Sequence, residues 1–466
     1  MKRIAIIGGG ISGMAAAFFL EQRRLAGVPV EYVLFEGCER LGGVIRSERV
    51  GDCLVEAGPD SFLAEKTSAS ELCDEVGITG ELIGSNDSQR KTYILLNGKL
   101  VSMPDGLAFM VPTKILPIAF SPLFSFGTKV AMMREWFHPR HEVDADESVG
   151  AFVERHYGRE MVERIADPLL SGVYGGSADR LSLKAVLPRF AEMQARHGSL
   201  GKAMLKNRRQ SRSEKPRPLF TTIKNGMQQL VDALAQRLPP PHVRLNAPVQ
   251  SLNALEKGWI VSSPNSEHRG QQFDSVIVAA PAYQAAKLLQ ASLPDLAAEL
   301  HAIQYSSSIT ISLGYDQAVR ASLPAGFGFL VPRVEGLRTL AVTFVHNKFA
   351  HRVPEDQALI RCFLGGTRDE AALDLSEDEL LRIVKKELQG ILGITSDPLF
   401  FRIYKWKSAM AQYDVGHLSR LERIETLRRD VRGLFLAGNA YRGIGVPDCV
   451  RFGKQAARDA LSVLGF

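Results

Sequence analysis

No stretch of this sequence runs apolar for the ~18 residues that a membrane-spanning helix needs, and it has no internal repeat and no low-complexity tract. Cysteine is scarce. The five are Cys38, Cys53, Cys73, Cys362 and Cys449, with no C-x-x-C among them. An odd count without ligand spacing argues against a disulfide framework and a structural zinc site. It suits a reducing compartment, where thiols serve as small apolar residues, and a cytoplasmic location is expected. His138 and His141 form an H-x-x-H, but Pro139 stands between them and the pair reads as surface chemistry. No Ser/His/Asp set stands out as a nucleophile with its base. Acidic excess is lacking too: 57 Lys and Arg against 51 Asp and Glu leave a net charge of +6. That balance favours anionic partners without choosing among them.

What is there is an ordinary globular composition, 45% hydrophobic and 23% charged over 466 residues. The length suggests two or three domains. The opening Met-Lys-Arg-Ile-Ala-Ile-Ile-Gly-Gly-Gly has basic residues before an apolar run. The run is short and ends in glycines, so it reads as a strand and turn rather than a signal peptide. Residues 4–7 form a buried strand, 8–13 a tight turn, 14–24 a helix and 30–35 a second strand, which together make a βαβ unit. From about 90 to 215 the texture changes. Pro104, Pro112, Pro117 and Pro122 punctuate a Phe-bearing stretch, and a helical, charged region follows at 148–165. Residues 202–217 carry seven basic residues and one acid and read as a solvated, mobile loop. The α/β texture returns near residue 223, with a helix at 227–238 and strands at 243–252, 259–262 and 274–280. Further strands are expected at 309–313, 341–344 and 359–363. The end, 433–466, is strand, glycine turn and helix.

Gly8-Gly9-Gly10-Ile11-Ser12-Gly13 matches G-x-G-x-x-G between a predicted strand and a predicted helix. Gly8 allows the tight turn, Gly10 a close approach to a pyrophosphate, and Gly13 close packing of helix on strand. The helix start adds free N–H groups and the positive dipole end. Glu36 ends the next strand, where a carboxylate accepts the two hydroxyls of an adenosine ribose and disfavours a 2′-phosphate. Glu39-Arg40-Leu41-Gly42-Gly43 brings the chain past the pyrophosphate a second time. Arg40 either adds charge there or braces the turn.

This spacing resembles the glycine doublet of the flavin-containing amine oxidases and their relatives. Later stretches are similar to that superfamily as well. They are Met227 and Leu230 followed by residues 243–249, the strand ending at Pro281, and Gly433 to Gly438 followed by Gly443-Ile444-Gly445-Val446. Narrower likenesses point to one family. Ala57-Gly58-Pro59-Asp60-Ser61-Phe62 resembles a segment of the bacterial porphyrinogen oxidases, which act on coproporphyrinogen III or protoporphyrinogen IX. So do Ser171-Gly172-Val173-Tyr174, Gly445-Val446-Pro447-Asp448-Cys449 and the Trp406, Met410, Gln412, Tyr413 pattern. The resemblance runs from residue 4 to about 460 and is greatest to the soluble Gram-positive type. Val44 departs from it, where many relatives have a basic residue.

The resemblance implies an α/β fold: a Rossmann-like FAD-binding domain of amine-oxidase type from 1–85, 220–285 and 426–466. A mainly helical insertion of membrane-facing type would cover 90–215, and an α+β substrate domain 286–425. It implies non-covalent FAD. Gly8, Gly9, Gly10, Ile11, Ser12, Gly13, Glu36, Gly37 and Arg40 would serve the pyrophosphate and ribose, and Val249 the adenine. Gly43, Ala57, Gly58, Pro59 and Asp60 would line the flavin, with Trp406 beside it and Ile444, Gly445 and Val446 closing over it. Lys66 matches a position where soluble members carry a lysine facing the substrate, and a cation suits propionates. Residues 104–122 and 329–332 are candidates for pocket walls.

The implied chemistry is oxidation of coproporphyrinogen III in heme biosynthesis. A meso-carbon hydride passes to flavin N5 and O2 reoxidises the flavin to give H2O2, in three rounds without a general base or metal. Protoporphyrinogen IX is the alternative substrate. An amine oxidase or carotenoid desaturase is the more distant alternative, although Cys449 sits in a non-covalent context. A nucleic-acid adaptor built on 202–217 would need aromatics among the charges, and there are none. A weak peripheral membrane contact through 107–126 stays open, with Lys114 and the prolines arguing against insertion. Oligomeric state is not legible.

Overall fold

Ile4, Ala5, Ile6 and Ile7 face two different cores in turn. In the computed structural model, which describes residues 1–140, 145–210, 218–263 and 270–466, Ile4 and Ile6 share one core with Met14, Phe18 and Leu20 of the helix Ile11–Leu25. Ala5 and Ile7 share the other with Trp259, Val261 and Phe273. A strand covered on both faces can be apolar throughout, which is why this run is continuous rather than alternating. Lys2–Ile7 is the centre of a five-stranded parallel sheet. Its order is Val243–Arg244, Val30–Phe35, Lys2–Ile7, Ser275–Val278, Leu434–Leu436. Ile11–Leu25, Gln228–Arg237 and the C-terminal helix Val446–Leu464 contribute to the core on one face. A small antiparallel sheet of Ser251–Leu255, Gly258–Ser262 and Gln271–Phe273 covers the other. The expected strand at 243–252 is two short strands in different sheets.

A seven-stranded sheet forms the second layer. Its order is Phe400–Ala411, Tyr305–Asp316, Gln357–Gly365, Ala341–Phe344, Gly328–Leu330, Thr92–Leu96, Lys99–Ser102. The helix Glu377–Leu392 shares its core, started by a capping box between Ser376 and Glu379. Phe329, offered by sequence as a pocket wall, is buried in this core. Thr92–Leu96 and Lys99–Ser102 lie inside the segment expected to be mainly helical, yet they pair with each other, and Thr92–Leu96 pairs with Gly328–Leu330. Asn97 and Gly98, both at positive φ, make the tight turn between them. That dipeptide is a hairpin signal legible in the sequence.

The helices of the insertion run from Ile115–Ala119 to Leu200–Gln210. The basic stretch expected as a loop is helical as far as residue 210, and 211–217 lie outside the described residues. Leu200 and Ala203 are fully buried and the Glu135 carboxylate accepts from the Leu200 and Gly201 N–H groups, so packing and a cap override the charge pattern. His138 stacks on the buried His156 with ring centroids 4.3 Å apart, and His141 lies outside the described residues. Among the described residues no helix is long and apolar enough to cross a membrane.

Candidate active site

The parallel strands end together at one edge, the edge where open α/β sheets place their ligands. Gly8, with φ of +107°, turns the chain out of the first strand. A Cβ on Gly13 would lie 1.9 Å from the Gly8 carbonyl oxygen, so only glycine lets the helix start this close. Nothing stands within 4 Å of where a Cβ on Gly10 would be. Gly10 is also the N-cap of Ile11–Leu25, with no side-chain cap and no acid in the first turn. The helix start is therefore an open anion site with room in front of it. Glu36 stands beside it. Its carboxylate accepts from the Gly9 N–H at 2.6 Å and the Cys38 N–H at 2.8 Å, which orients it and leaves lone pairs for further donors.

Two more turns stack on this one, backbone to backbone. The Gly42 N–H donates to the Gly9 carbonyl at 2.8 Å, and a Cβ on Gly43 would lie 3.3 Å from Gly10 Cα. A Cβ on Gly58 would lie 1.9 Å from the Val44 carbonyl oxygen. Arg40 donates to the carbonyls of Leu41, Gly43 and Ile45, so it braces the turn. The 246–250 segment passes along the Glu36 side. Asn246 N–H donates to Cys38 O and Ala247 N–H to Glu36 O, and Pro248 lies 3.7 Å from a Cβ position on Gly37. Val249 is half-buried at the end of this crossing.

Trp406 reaches the same place from the other sheet. Its Nε1–H donates to the Ala57 carbonyl at 2.8 Å, and Thr310 Oγ1 donates to that oxygen at 2.8 Å. The peptide plane then turns the Gly58 N–H the opposite way. That N–H has no partner among the described residues. A register shift at Ser306 and Ser308, with Ser408 at positive φ, kinks the strand just past Trp406. Bulges of this kind re-aim side chains beside sites.

The C-terminal helix closes the group. Val446–Leu464 begins at Gly445 without a side-chain cap, and a Cβ on Gly453 would lie 2.1 Å from the Ser12 carbonyl oxygen. The start of the N-terminal helix thus lies against Gly453 within the C-terminal one, whose own first turn carries Asp448. Ile444 is half-buried and Val446 is buried. Tyr413 holds the preceding loop: its hydroxyl donates to Asn439 O at 2.7 Å and accepts from the Gly443 N–H at 2.8 Å. Burial pushes the Cys449 thiol up to about 11, so it stays protonated near neutral pH. Lys66 comes to this corner and pairs with Asp448 at 2.6 Å; Arg451 lies 3.4 Å from the same carboxylate.

The structure therefore gathers the three glycine turns, Glu36, Trp406 and residues 444–446 at one edge. Asp60 points elsewhere, to Lys348 at 3.0 Å in a buried ion group with Glu56, Arg352 and Arg361. Sequence reasoning gave no role to Thr310, Tyr413 or that ion group. Tyr413 stood in a quoted motif, whereas the strand and helix positions of Thr310, Lys348, Arg352 and Arg361 carry no local signal.

The open start of the N-terminal helix, the space at Gly10 and the free Gly58 N–H fit an anionic, planar dinucleotide cofactor. Residues 11–461 match the flavin-containing amine oxidoreductase family. The chain is 34% identical to the coproporphyrinogen III oxidase of Bacillus subtilis (strain 168), over 99% of this chain and 98% of that one. It is 29% identical to protoporphyrinogen oxidase 2 of Arabidopsis thaliana, over 99% and 95%. A solved structure from Exiguobacterium sp. 255-15, provisionally named a protoporphyrinogen oxidase, superposes with a TM-score of 0.87 at 28% identity over 99% of both chains. This chain belongs to the flavin-containing amine oxidoreductases, in their porphyrinogen oxidase branch.

Proposed function

We propose that the chain binds FAD non-covalently and oxidises coproporphyrinogen III to coproporphyrin III, with O2 as acceptor and H2O2 as product. The observation that carries the substrate is the full-length likeness to the Bacillus subtilis enzyme, which exceeds that to the Arabidopsis one. The uncapped start of Ile11–Leu25 beside a ribose-type carboxylate supports the dinucleotide form of the flavin. Gly37 and Val249 then serve the adenine side, while Gly43, Ala57, Gly58, Pro59 and the backbone of Asp60 line the ring. Trp406 stands beside the ring, and Ile444, Gly445 and Val446 close over it. The protonated, buried Cys449 supports a flavin held without a covalent bond.

Bound flavin supplies the hydride acceptor, and the chain's own residues hold, orient and shield. Lys66 and Arg451 both face Asp448, so one cation more than the carboxylate cancels stands beside the glycine turn. That surplus suits a substrate propionate. We place the protein in the cytoplasm. The exposed Leu116, Phe120, Phe126, Met133 and Phe137, with Lys114 and Arg134 among them, support a weak peripheral contact with membrane.

The test is aerobic turnover of purified protein with coproporphyrinogen III and protoporphyrinogen IX side by side, followed by porphyrin fluorescence. Faster porphyrin formation from coproporphyrinogen is expected. A preference for protoporphyrinogen would move the substrate within the family, and no turnover of either by flavin-loaded protein would overturn the reading.

A further inference from the structure

Behind residues 57–60 lies a set of buried charges that the reading above leaves without a task. Glu56 accepts from Arg352 at 2.9 Å, Ser47 Oγ at 2.6 Å and the Met227 N–H at 2.9 Å. Asp60 accepts from Lys348 at 3.0 and 3.2 Å and from Ser61 Oγ at 2.7 Å. Arg352 also donates to the Asp60 carbonyl at 3.0 Å. Arg361 donates to the Gly58 carbonyl and lies 4.0 Å from the Asp60 carboxylate. The side chains of Arg352 and Arg361 are 1% and 4% exposed. The Nε atoms of both are buried without a partner among the described residues.

Three cations face two carboxylates here. The next charges outward, Arg46, Glu48 and Arg402, pair among themselves and are partly exposed. Burial alone would raise the Asp60 carboxyl, but Lys348, Arg361 and Arg352 hold it below the usual carboxylate range. Asp60 is therefore charged, and the surplus is positive. Burying an uncompensated cation is costly unless an anion forms within reach of its field. The loop that these cations grip, at Gly58 and Asp60, is the one that the proposed function places against the flavin ring. A flavin ring is neutral when oxidised and takes on negative charge when it accepts a hydride.

We propose that Lys348, Arg352 and Arg361 form a fixed positive field behind residues 57–60 that favours the anionic reduced flavin over the neutral oxidised one. The inference rests on the proposed placement of the flavin. The three residues are positioning groups, since they touch the loop and not the substrate. Asp60 acts as the partial counterweight that sets the size of the surplus.

The experiment uses flavin-loaded protein and sulfite, which adds reversibly to flavin N5 and leaves a negative charge on the ring. Visible flavin absorbance is recorded first and bears on the proposed site; sulfite affinity of the loaded protein bears on the field. The wild-type holoenzyme is expected to form the adduct. Lys348→Gln, which keeps a hydrogen bond to Asp60 without the charge, weakens sulfite binding by about tenfold for one charge removed at an intermediate effective dielectric. The two-electron midpoint potential falls with it, by about 30 mV per tenfold. Lys348→Arg stays near wild type. Asp60→Asn enlarges the surplus and shifts both readouts the opposite way. A role in packing alone would not give opposite signs for the two charge removals. The proposal is overturned if wild-type holoenzyme forms no adduct, or if Lys348→Gln and Asp60→Asn move sulfite affinity in the same direction or not at all.

Discussion

The Ala57 carbonyl oxygen shows how single hydrogen bonds place this site. It accepts from Trp406 and from Thr310, two side chains of the antiparallel sheet, and so ties that sheet to the glycine turns. Removing one donor leaves the oxygen paired. Trp406→Phe and Thr310→Val should each cost about 1 kcal/mol and retain flavin. The double variant strands a buried acceptor and should lose more than the sum of the two, together with most of the bound flavin. Flavin absorbance per protein and urea midpoints check this; strict additivity would count against the shared-oxygen account. His346 gives a pH prediction at the same scale. Burial, with a contribution from Arg320, lowers its pKa from 6.5 to about 4. Below pH 6.5 the unfolded chain takes up a proton that the folded chain refuses. Stability therefore falls as pH drops from 6.5 to about 4, by roughly 2–3 kcal/mol from this group. His346→Gln, which keeps an acceptor for the Leu359 N–H, should flatten the acid limb relative to wild type. Equal slopes for both proteins would show that His346 does not contribute.

Helices meet helices here at glycine. The N-terminal and C-terminal helices cross with Gly453 against the Ser12 carbonyl, where a Cβ would lie 2.1 Å away. Gly453→Ala must push the two helices apart at this crossing. It should cost about 1–3 kcal/mol or more and lower flavin content, because Ser12 belongs to the glycine turn proposed above to hold the pyrophosphate. Gly390 is a control of opposite sign. It sits exposed within Glu377–Leu392, with nothing within 4 Å of a Cβ, so alanine there should stabilise by about 0.5–1 kcal/mol with flavin unchanged. Thermal melts and flavin absorbance of both variants separate the cases. The element scale also shows where local pattern was a good guide. The first βαβ unit and the strand Ala341–Phe344 lie where the apolar runs put them, because a buried strand needs only a short β-branched run between turn residues. Residues 200–210 show the reverse. Seven nearby cations suggested a loop, but the buried Leu200 and Ala203 and the Glu135 cap hold a helix.

Over the whole molecule the bare apolar side chains are unevenly shared. Phe120 and Phe137 are both 84% exposed, and Phe126 and Leu116 are nearly as bare, all within the insertion. Bare apolar side chains gathered in one stretch of chain suit the weak membrane contact proposed above. Purified protein should co-sediment weakly with anionic vesicles. Phe126→Glu with Phe137→Glu should abolish this while leaving porphyrin formation in solution at wild-type rate. Binding that survives the double variant would place the contact elsewhere.

The sequence by itself determined the local parts: the G-x-G-x-x-G turn with Glu36, the glycine doublet, the 57–60 segment and the first βαβ unit. Each depends on neighbours within a few residues, through φ > 0, a missing Cβ or a short apolar run, so each leaves a local trace. Only the tertiary structure decided that Trp406 and Thr310 share one oxygen. The same holds for Asp60 turning into a buried group with Lys348 and Arg361, for Lys66 pairing with Asp448, and for the hairpin of residues 92–102 joining the second sheet. These contacts join residues hundreds of positions apart. Their energies come from burial and from pairing of charges across elements, and neither composition nor spacing along the chain encodes which partner a buried group will meet.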